Sequence, residues 1–166
     1  VQSGMGRTGH PFAAQAYGVT PDLLTVGKGL AGGFPAAAVL VSERLAARVG
    51  KGDLGSTFGG GPMACALIEA VIDVVESEGL LGRVRRLSDR LRTECLVGPV
   101  TAVSGMGFLL GLHTRRKAAE VLAELRGRAI LAGESADPHV VRLLPPLILE
   151  DEHVDVLVDA LRALPA

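Results

Sequence analysis

The feature that most constrains the fold is the stretch LLTVGKGLAGGFP at residues 23–35, in which a short apolar run meets a cluster of glycines. Apolar runs of this length bounded by glycine are typical of strands. Because glycine lacks a Cβ, it permits tight turns and lets other groups approach the backbone closely. One long cationic side chain, Lys28, stands between Gly27 and Gly29. The stretch therefore predicts a short buried strand over 23–26 that ends in a tight turn carrying a lysine.

Two familiar glycine motifs fit this turn poorly. Residues 27–32 formally match the dinucleotide pattern G-x-G-x-x-G, but that motif needs a helix opening on the glycines and an acidic residue about twenty positions downstream. Here Gly-Phe-Pro follows at 33–35, and Asp53 lies in another glycine-rich loop. A P-loop would need glycine at position 22 and serine or threonine at 29, where the chain has Asp22 and Gly29.

A third interpretation is a lysine amine that attacks the aldehyde of a cofactor. Such an amine must be partly deprotonated and free of bulky neighbours, so that a flat ring can approach it. Gly27 and Gly29 supply that clearance around Lys28. The plain alternative is a solvent-exposed turn lysine, and the rest of the sequence has to decide between the two.

Composition excludes several classes of function. The chain has 166 residues, of which 48% are hydrophobic and 21% charged, so it can bury a real core. A net charge of −1 and 3% aromatic residues without Trp argue against nucleic-acid binding and against an anionic membrane surface. Cys65 and Cys95 match no metal or redox spacing, and the four histidines share no ligand spacing. We expect no metal site, a cytoplasmic and reduced setting, and a buried thiol at Cys65.

Strand-like runs alternate with helix-like runs along the chain, which favours the α/β class. A final helix should begin near Glu150, where acidic residues suit the helix dipole, and bury Val154, Leu157, Val158 and Leu161. The other expected strands lie at 36–41, 103–112 (one or two strands), 130–131 and 140–144, and the other expected helices at 42–49, after Pro62 and at 118–125.

The region from Met63 onward predicts a long helix that joins two domains. Up to position 75 its only ionisable residues are Glu69 and Asp73, which with Glu76 form one narrow polar stripe on an otherwise apolar surface. After Gly79 the helix becomes half apolar, and its arginines between positions 83 and 92 indicate a solvated face. We expect residues 1–75 to belong to a larger sheet domain, 76–97 to form the joining helix, and 98–166 to form a small C-terminal α/β domain.

Four stretches in order resemble the class III (acetylornithine/ornithine-type) aminotransferases. They are VQSGMGRTG at 1–9, PDLLTVGKGLAGGFP at 21–35, GSTFGGGP at 55–62 and VVRLLPPLIL at 140–149. The resemblance covers essentially the whole chain, with Gly60-Gly61-Pro62 standing where the family usually has Gly-Asn-Pro. It implies fold type I, with pyridoxal 5′-phosphate as cofactor.

The resemblance also implies a role for each matching residue. Lys28 would bond covalently to the cofactor and carry a proton during the reaction. Gln2 would hydrogen-bond near the cofactor's phenolic oxygen, and Val1 belongs to the same cofactor-binding set. Thr57 would contact the cofactor phosphate across the interface of a homodimer, and Ser56 would lie beside the substrate. Ordinary turn chemistry is the alternative for Ser56 and Thr57.

Arg142 is the candidate for binding a substrate carboxylate. It interrupts the apolar run VVRLLPP, and a buried arginine needs an anionic partner. A carboxylate would fit through a bidentate contact. A salt bridge to a nearby acidic side chain is the structural alternative.

The function implied by the resemblance is transfer of an amino group from an amino-acid side-chain amine to 2-oxoglutarate. The RLLPPLIL segment, followed at once by an acidic helix start, most resembles acetylornithine aminotransferases of arginine biosynthesis. Transamination of 4-aminobutyrate or ornithine is the alternative within the class. Partners would be small amino acids and 2-oxo acids, with no nucleic acid and no membrane.

The chain is expected to be the C-terminal portion of a longer enzyme. It begins at Val1 rather than Met, and the Asp that the family places against the pyridine nitrogen would lie just before Val1. We therefore expect this portion to be inactive by itself. A hypothesis from another class is a non-catalytic domain that acts only by association, because the missing part would leave the 63–75 helix uncovered.

Overall fold

The computed structural model describes all 166 residues as a mixed α/β chain. The first part contains two short helices, a two-stranded sheet and one long helix, and the second part contains a four-stranded sheet packed with three helices. The helices are α1 Ala13–Ala16, α2 Glu43–Ala46, α3 Pro62–Ser77, α4 Leu80–Glu94, α5 Ala118–Gly127 and α6 Asp151–Arg162. The strands are β1 Leu23–Val26, β2 Ala38–Val41, β3 Val100–Met106, β4 Leu109–Thr114, β5 Gly133–Glu134 and β6 Val140–Leu143.

Strand β1 lies where the sequence predicts it, but it is not a buried strand. It pairs antiparallel with β2, with Leu23 opposite Val41 and Val26 opposite Ala38. Only Val26 is buried, whereas Leu23 is 58% exposed. The prediction of burial was wrong because these two strands form a sheet of their own that no second layer covers.

Helix α3 begins at Pro62, as predicted, because proline suits the first turn, where its missing N–H loses no helical bond. None of its residues is buried. Met63 is 66% exposed and Cys65 is also exposed, so the predictions of a deeply buried helix and a buried Cys65 thiol were wrong for this chain. The predicted uncovered apolar surface is confirmed instead.

The long helix is interrupted rather than continuous. Helix α3 ends at Ser77 and α4 begins at Leu80, and Gly79 between them adopts φ +60° in the left-handed region. A left-handed residue cannot continue a right-handed helix, and glycine adopts this conformation without penalty. Two helices therefore occupy the place of the single joining helix.

The core lies in the second part of the chain. Its sheet has the order β3-β4-β6-β5, and every neighbouring pair is antiparallel. The apolar stripes of α4 and α6 pack on it, so the predicted buried face of the last helix is confirmed. The core has 20 buried residues, and those fully enclosed are Val84, Leu87, Cys95, Phe108, Leu112, Val121, Leu125, Val141, Val154 and Leu161.

The expected region 103–112 forms two strands that turn at Gly107, where φ is +57°. The expected strand at 130–131 was wrong, because Leu131 is 85% exposed and the edge strand is Gly133–Glu134. No helix in the chain combines the length and the apolar character that crossing a bilayer requires.

Candidate functional site

Lys28 lies in the turn that directly follows β1, as predicted. Gly27 before it is extended, with φ −170°, and buried. Lys28 itself adopts φ +54° and opens a short 3-10 turn, Lys28–Ala31. A non-glycine residue in the left-handed region is uncommon, and such residues cluster at functional sites because the surrounding structure must hold them there. The turn is not the α-helix that a dinucleotide site needs.

The amine of Lys28 is free within this chain. Its side chain is exposed, and no hydrogen bond or salt bridge involves it. A solvent-exposed turn lysine, the plain alternative, would be unpaired as well, so the free amine does not decide between the two interpretations. The left-handed backbone of Lys28 between two glycines is the feature that favours a functional role.

The N-terminal segment lies along the lysine turn. The position that a Cβ would take on Gly27 is 3.9 Å from Cγ1 of Val1, and the same position on Gly29 is 3.9 Å from Cβ of Met5. Gln2 is exposed between these contacts. The structure therefore brings Val1 beside the turn, so two of the stretches that carry the resemblance meet here.

Ser56 and Thr57 lie in the exposed loop before α3. Residues 51–60 are all exposed. No hydrogen bond or ion pair joins either hydroxyl to Lys28 or to any other group of the chain. Their donors are free, but the structure does not link them to the lysine turn within one chain.

Arg142 lies on the open face of β6, so the expectation that it is buried was wrong. Val141 and Leu143 on either side of it are 0% and 7% exposed, whereas Arg142 is exposed. The alternation of a strand sends neighbouring side chains to opposite faces, and only one face of this sheet carries the core. The alternative salt bridge is absent too, because no acidic side chain pairs with Arg142.

Both neighbours of Arg142 across the sheet are glycines. Gly111 on β4 and Gly133 on β5 lie opposite it in register. The guanidinium lies over Gly133, with Nε and Nη2 each 3.4 Å from the position a Cβ there would take. Arg142 also borders an apolar cavity of about 540 Å³ between β6 and α6. The guanidinium is thus unpaired and sterically accessible.

A cluster of charges holds α4 to α6. Arg86 contacts both carboxylate oxygens of Asp151 at 2.7 Å, and Arg90 contacts Asp151 at 2.7 Å and Asp155 at 2.6 Å. Hydrogen bonds from Arg86 and Arg90 hold the pKa of the Asp151 carboxyl well below its usual range. The solvated arginine face expected on α4 is therefore partly occupied by ion pairs.

Arg7 is a residue of interest that sequence reasoning missed. Its guanidinium is partly buried and donates a hydrogen bond to the carbonyl oxygen of Pro145. Burial lowers the pKa of the Arg7 guanidinium. The signal available in the sequence was a charged residue inside the glycine-rich stretch GMGRTG, where a side chain lies close to backbone groups.

The residues present fit an aldehyde- and phosphate-bearing cofactor. A free amine at Lys28 suits an aldehyde, and the unpaired hydroxyl of Thr57 suits a phosphate. Arg142 suits a carboxylate. No three side chains cluster with the geometry of a metal site.

Comparison with known proteins relates the whole chain to one family. The sequence model of the aminotransferase class-III family matches residues 1–164. The acetylornithine aminotransferase of Streptomyces coelicolor is 46% identical over 166 residues, which cover 97% of this chain and 41% of the relative. That of Methanocaldococcus jannaschii is 36% identical over 169 residues, covering 97% of this chain and 42% of the relative. The chain thus spans about two fifths of the length of these curated relatives.

Solved structures agree with the sequence comparison. The acetylornithine aminotransferase of Elizabethkingia anophelis superposes with a TM-score of 0.86 at 32% identity, covering 97% of this chain and 46% of that one. The ornithine aminotransferase of Toxoplasma gondii superposes with a TM-score of 0.87 at 30% identity, and the match covers 98% of this chain and 41% of that one.

Proposed function

This chain belongs to the aminotransferase class-III family, and from that premise we propose that the protein containing it transfers the side-chain amino group of an amino acid to 2-oxoglutarate. Enzymes of this family use pyridoxal 5′-phosphate. N-acetylornithine is the proposed donor, supported by the names of the curated relatives in several organisms. Ornithine is the second candidate, because solved neighbours include ornithine aminotransferases, and 4-aminobutyrate remains the third.

The observation that carries the proposal is the state of Lys28. Its amine is exposed and unpaired at a strand end, on a backbone held in the left-handed region between two glycines. Those properties suit a lysine that must bond to a flat aldehyde-bearing ring and then move a proton. When bound, the cofactor supplies an electron-withdrawing ring that accepts the negative charge developed at the substrate carbon bearing the transferred amine.

Lys28 would take the proton from the substrate carbon that bears the transferred amine and would pass it to the cofactor carbon that carried the aldehyde. Val1, which lies beside Gly27, would belong to the residues that hold the cofactor, and the amide of Gln2 would hydrogen-bond near its phenolic oxygen. Thr57 would contact the phosphate of the cofactor held by the neighbouring subunit, and Ser56 would lie beside the substrate. Their complete exposure and lack of partners in a single chain support this assignment across a dimer interface.

Arg142 binds the carboxylate of the donor and of the 2-oxo acid. Its guanidinium has no acidic partner, and glycines on both neighbouring strands leave its planar face open. Arginine presents paired N–H donors that match the two oxygens of a carboxylate. One arginine can serve both half-reactions, because the donor and the 2-oxo acid each carry a carboxylate.

We also propose an arrangement of domains in the longer protein. Residues 1–75 form the C-terminal part of a larger cofactor-binding domain, 76–97 join the domains, and 98–166 form the small C-terminal domain. The exposed apolar face of α3 supports the presence of covering parts outside this chain, including a second subunit. The free thiols Cys65 and Cys95 suit a cytoplasmic setting.

The experiment that tests the function is reduction of the full-length protein with borohydride in the presence of pyridoxal 5′-phosphate, followed by peptide mass mapping. We expect a pyridoxyl adduct on the peptide with Lys28. Lys28→Ala should lose that adduct, and the control Lys117→Ala, a change at an exposed helix-capping lysine, should keep it.

Turnover then identifies the donor. The full-length protein is assayed with 2-oxoglutarate and each of N-acetylornithine, ornithine and 4-aminobutyrate. A preference for N-acetylornithine supports the proposal. Absence of any adduct on Lys28, with no turnover of the three donors, would favour a non-catalytic domain that acts by association.

A further inference from the structure

The segment Gly6–Gly9 contacts three separate parts of the fold: the segment after β6, helix α4 and the β3–β4 turn. The Cβ position of Gly6 lies 3.1 Å from Cδ1 of Leu147, and that of Gly9 lies 2.5 Å from Cγ of Arg85 on α4. The backbone N–H of Phe108, at the β3–β4 turn, donates to the carbonyl oxygen of Arg7 at 2.8 Å. A short loop held from three sides behaves as a fixed part of the fold.

The β3–β4 turn is shaped to receive this loop. Gly107 adopts φ +57°, and a Cβ on it would lie 2.6 Å from Cα of Thr8 and would overlap the carbonyl oxygen of Arg7. Only glycine permits both the backbone conformation and that approach. The backbone of the loop therefore packs directly against the backbone of the turn, with no room for a side chain between them.

Arg7 extends from this loop to the segment that follows Arg142. Its guanidinium donates to the carbonyl oxygen of Pro145 and pairs with no carboxylate. Because this partly buried guanidinium binds a backbone carbonyl rather than a carboxylate, its contribution is to join two separate segments of the backbone. The bond is charge-assisted, and such bonds are stronger than neutral ones.

The recipient segment has little else to hold its backbone. Strand β6 ends at Leu143, and Pro145 and Pro146 have no N–H to donate to a neighbouring strand. The carbonyl that Arg7 binds lies two residues beyond the strand that carries Arg142. Fixing this carbonyl anchors the end of β6, the strand that pairs at Arg142 with β4 and β5.

The other end of the same N-terminal segment lies on the lysine turn. Val1 lies beside Gly27 and Met5 beside Gly29, on either side of Lys28. A short, extensively held stretch of backbone thus connects the turn with the reactive amine to the segment with the carboxylate-binding guanidinium.

We propose that Arg7 is a positioning residue, which sets the separation of Lys28 and Arg142 by tying the loop beside the lysine turn to the carbonyl of Pro145. The inference rests on the proposed function, because it requires Arg142 to bind the substrate carboxylate. Arg7 touches neither substrate nor cofactor. Its loss misplaces the guanidinium of Arg142 and leaves the proton transfer at Lys28 intact.

The test is steady-state kinetics of the full-length enzyme loaded with cofactor, comparing Arg7→Met, Arg7→Lys and Arg142→Leu. Loss of a charge-assisted bond predicts that Arg7→Met raises the KM of both the amino donor and 2-oxoglutarate by about tenfold, with kcat changed less than about threefold. Arg7→Lys keeps a cationic donor and should recover part of the loss. The matched control is Arg92→Met, which removes another arginine that donates to a backbone carbonyl, that of Gly105.

A binding measurement separates positioning from general damage. Titration of the loaded enzyme with glutarate, a dicarboxylate that cannot react, should show weaker binding in Arg7→Met in proportion to the rise in KM. Unchanged KM and glutarate affinity in both Arg7 variants would overturn the proposal, even if the melting temperature falls. Should Arg7→Met fail to fold, Arg7→Lys must still show a KM rise and weaker glutarate binding.

Arg142→Leu separates the carboxylate-binding role of Arg142 from the positioning role of Arg7. If it raises KM and weakens glutarate binding while the Arg7 variants do not, the positioning role fails and the role of Arg142 stands. If Arg142→Leu leaves both quantities unchanged, the assignment of Arg142 fails and the positioning proposal fails with it.

Discussion

Arg142 on β6 lies directly opposite Gly133 on the edge strand β5, and its guanidinium rests over the glycine with Nε and Nη2 at 3.4 Å from where a Cβ would be. Gly111 occupies the opposite position on the other side. An arginine between two glycines is bounded by backbone rather than by side chains, so an approaching carboxylate meets little obstruction.

The first prediction concerns the identity of that cation. Arg142→Lys keeps the charge but loses the paired planar donors, so the KM for 2-oxoglutarate should rise by about tenfold, which corresponds to about 1.4 kcal/mol of binding. Arg142→Leu should raise it further. The measurement is initial-rate kinetics at saturating donor, with Arg115→Lys as a control at another exposed arginine. Equal KM values for wild type and Arg142→Lys would argue against a bidentate contact.

The second prediction concerns the Lys28 amine, for which we propose the covalent and proton-transfer roles. Lys28→Arg retains a cation at the turn but cannot bond to an aldehyde, and Lys28→Ala removes the amine altogether. Both should lower kcat by about 10²- to 10⁴-fold or more, because proton transfer by a positioned side chain contributes that much. Activity within tenfold of wild type in both variants would contradict the role. Lys51→Ala, at an exposed loop lysine, is the control.

The third prediction concerns the loop-binding turn. Gly107→Ala places a Cβ against Arg7 and Thr8 at a residue with φ +57°, so it should destabilise the protein by about 2 kcal/mol or more. Gly82→Ala, within α4 and with nothing near its Cβ position, should instead stabilise by about 0.5–1 kcal/mol. Urea unfolding measures both. A neutral Gly107→Ala would mean that the loop moves aside at no cost.

The fourth prediction concerns pH. Arg86 and Arg90 hold the pKa of Asp151 below its ordinary value, so the ionised carboxylate favours the folded state. This contribution is complete above the ordinary carboxyl pKa of about 4 and is lost as the pH falls below it. The melting temperature of Asp151→Asn should therefore lie below wild type at pH 7, and the difference should shrink as the pH falls below about 4.

Asp159→Asn is the matched control for that experiment. Asp159 pairs with Arg162 on the same helix, and both side chains are well exposed, at 74% and 63%. Exposed ion pairs of this kind contribute little to stability. The melting temperature of Asp159→Asn should therefore equal that of wild type both at pH 7 and below about pH 4. A pH-independent difference for Asp151→Asn would indicate a packing effect rather than a charge effect.

The fifth prediction concerns the two thiols. Cys95 is fully buried at the end of α4, and burial raises its pKa to about 12. Because the thiolate is the reactive form, iodoacetamide at pH 8 should leave Cys95 unmodified in the native protein and label it only in denaturant. In the Cys65→Ser variant Cys95 is the remaining thiol, so mass mapping of that variant reports the labelling of Cys95 alone. Rapid labelling of Cys95 without denaturant would show that the end of α4 opens readily.

Local sequence patterns predicted the bounds and apolar faces of several elements, but they did not predict which faces are buried. The bounds of β1 and the buried face of α6 followed from local patterns, because periodicity reports which side of an element is apolar. The burial of α3, of Cys65 and of Arg142 was misjudged, because burial depends on what covers a face and no neighbour of α3 in this chain does so. The edge strand Gly133–Glu134 carries no apolar signal at all.

The sequence alone established the order of the four family stretches. It also identified which lysine and which arginine we propose for the site, because chemistry demands particular side chains at particular spacings. The left-handed backbone of Lys28, the glycines on both sides of Arg142 and the bond from Arg7 to Pro145 were decided only by folding. Each depends on atoms far apart in the chain, and their contact is set by how strands and turns pack rather than by any local pattern.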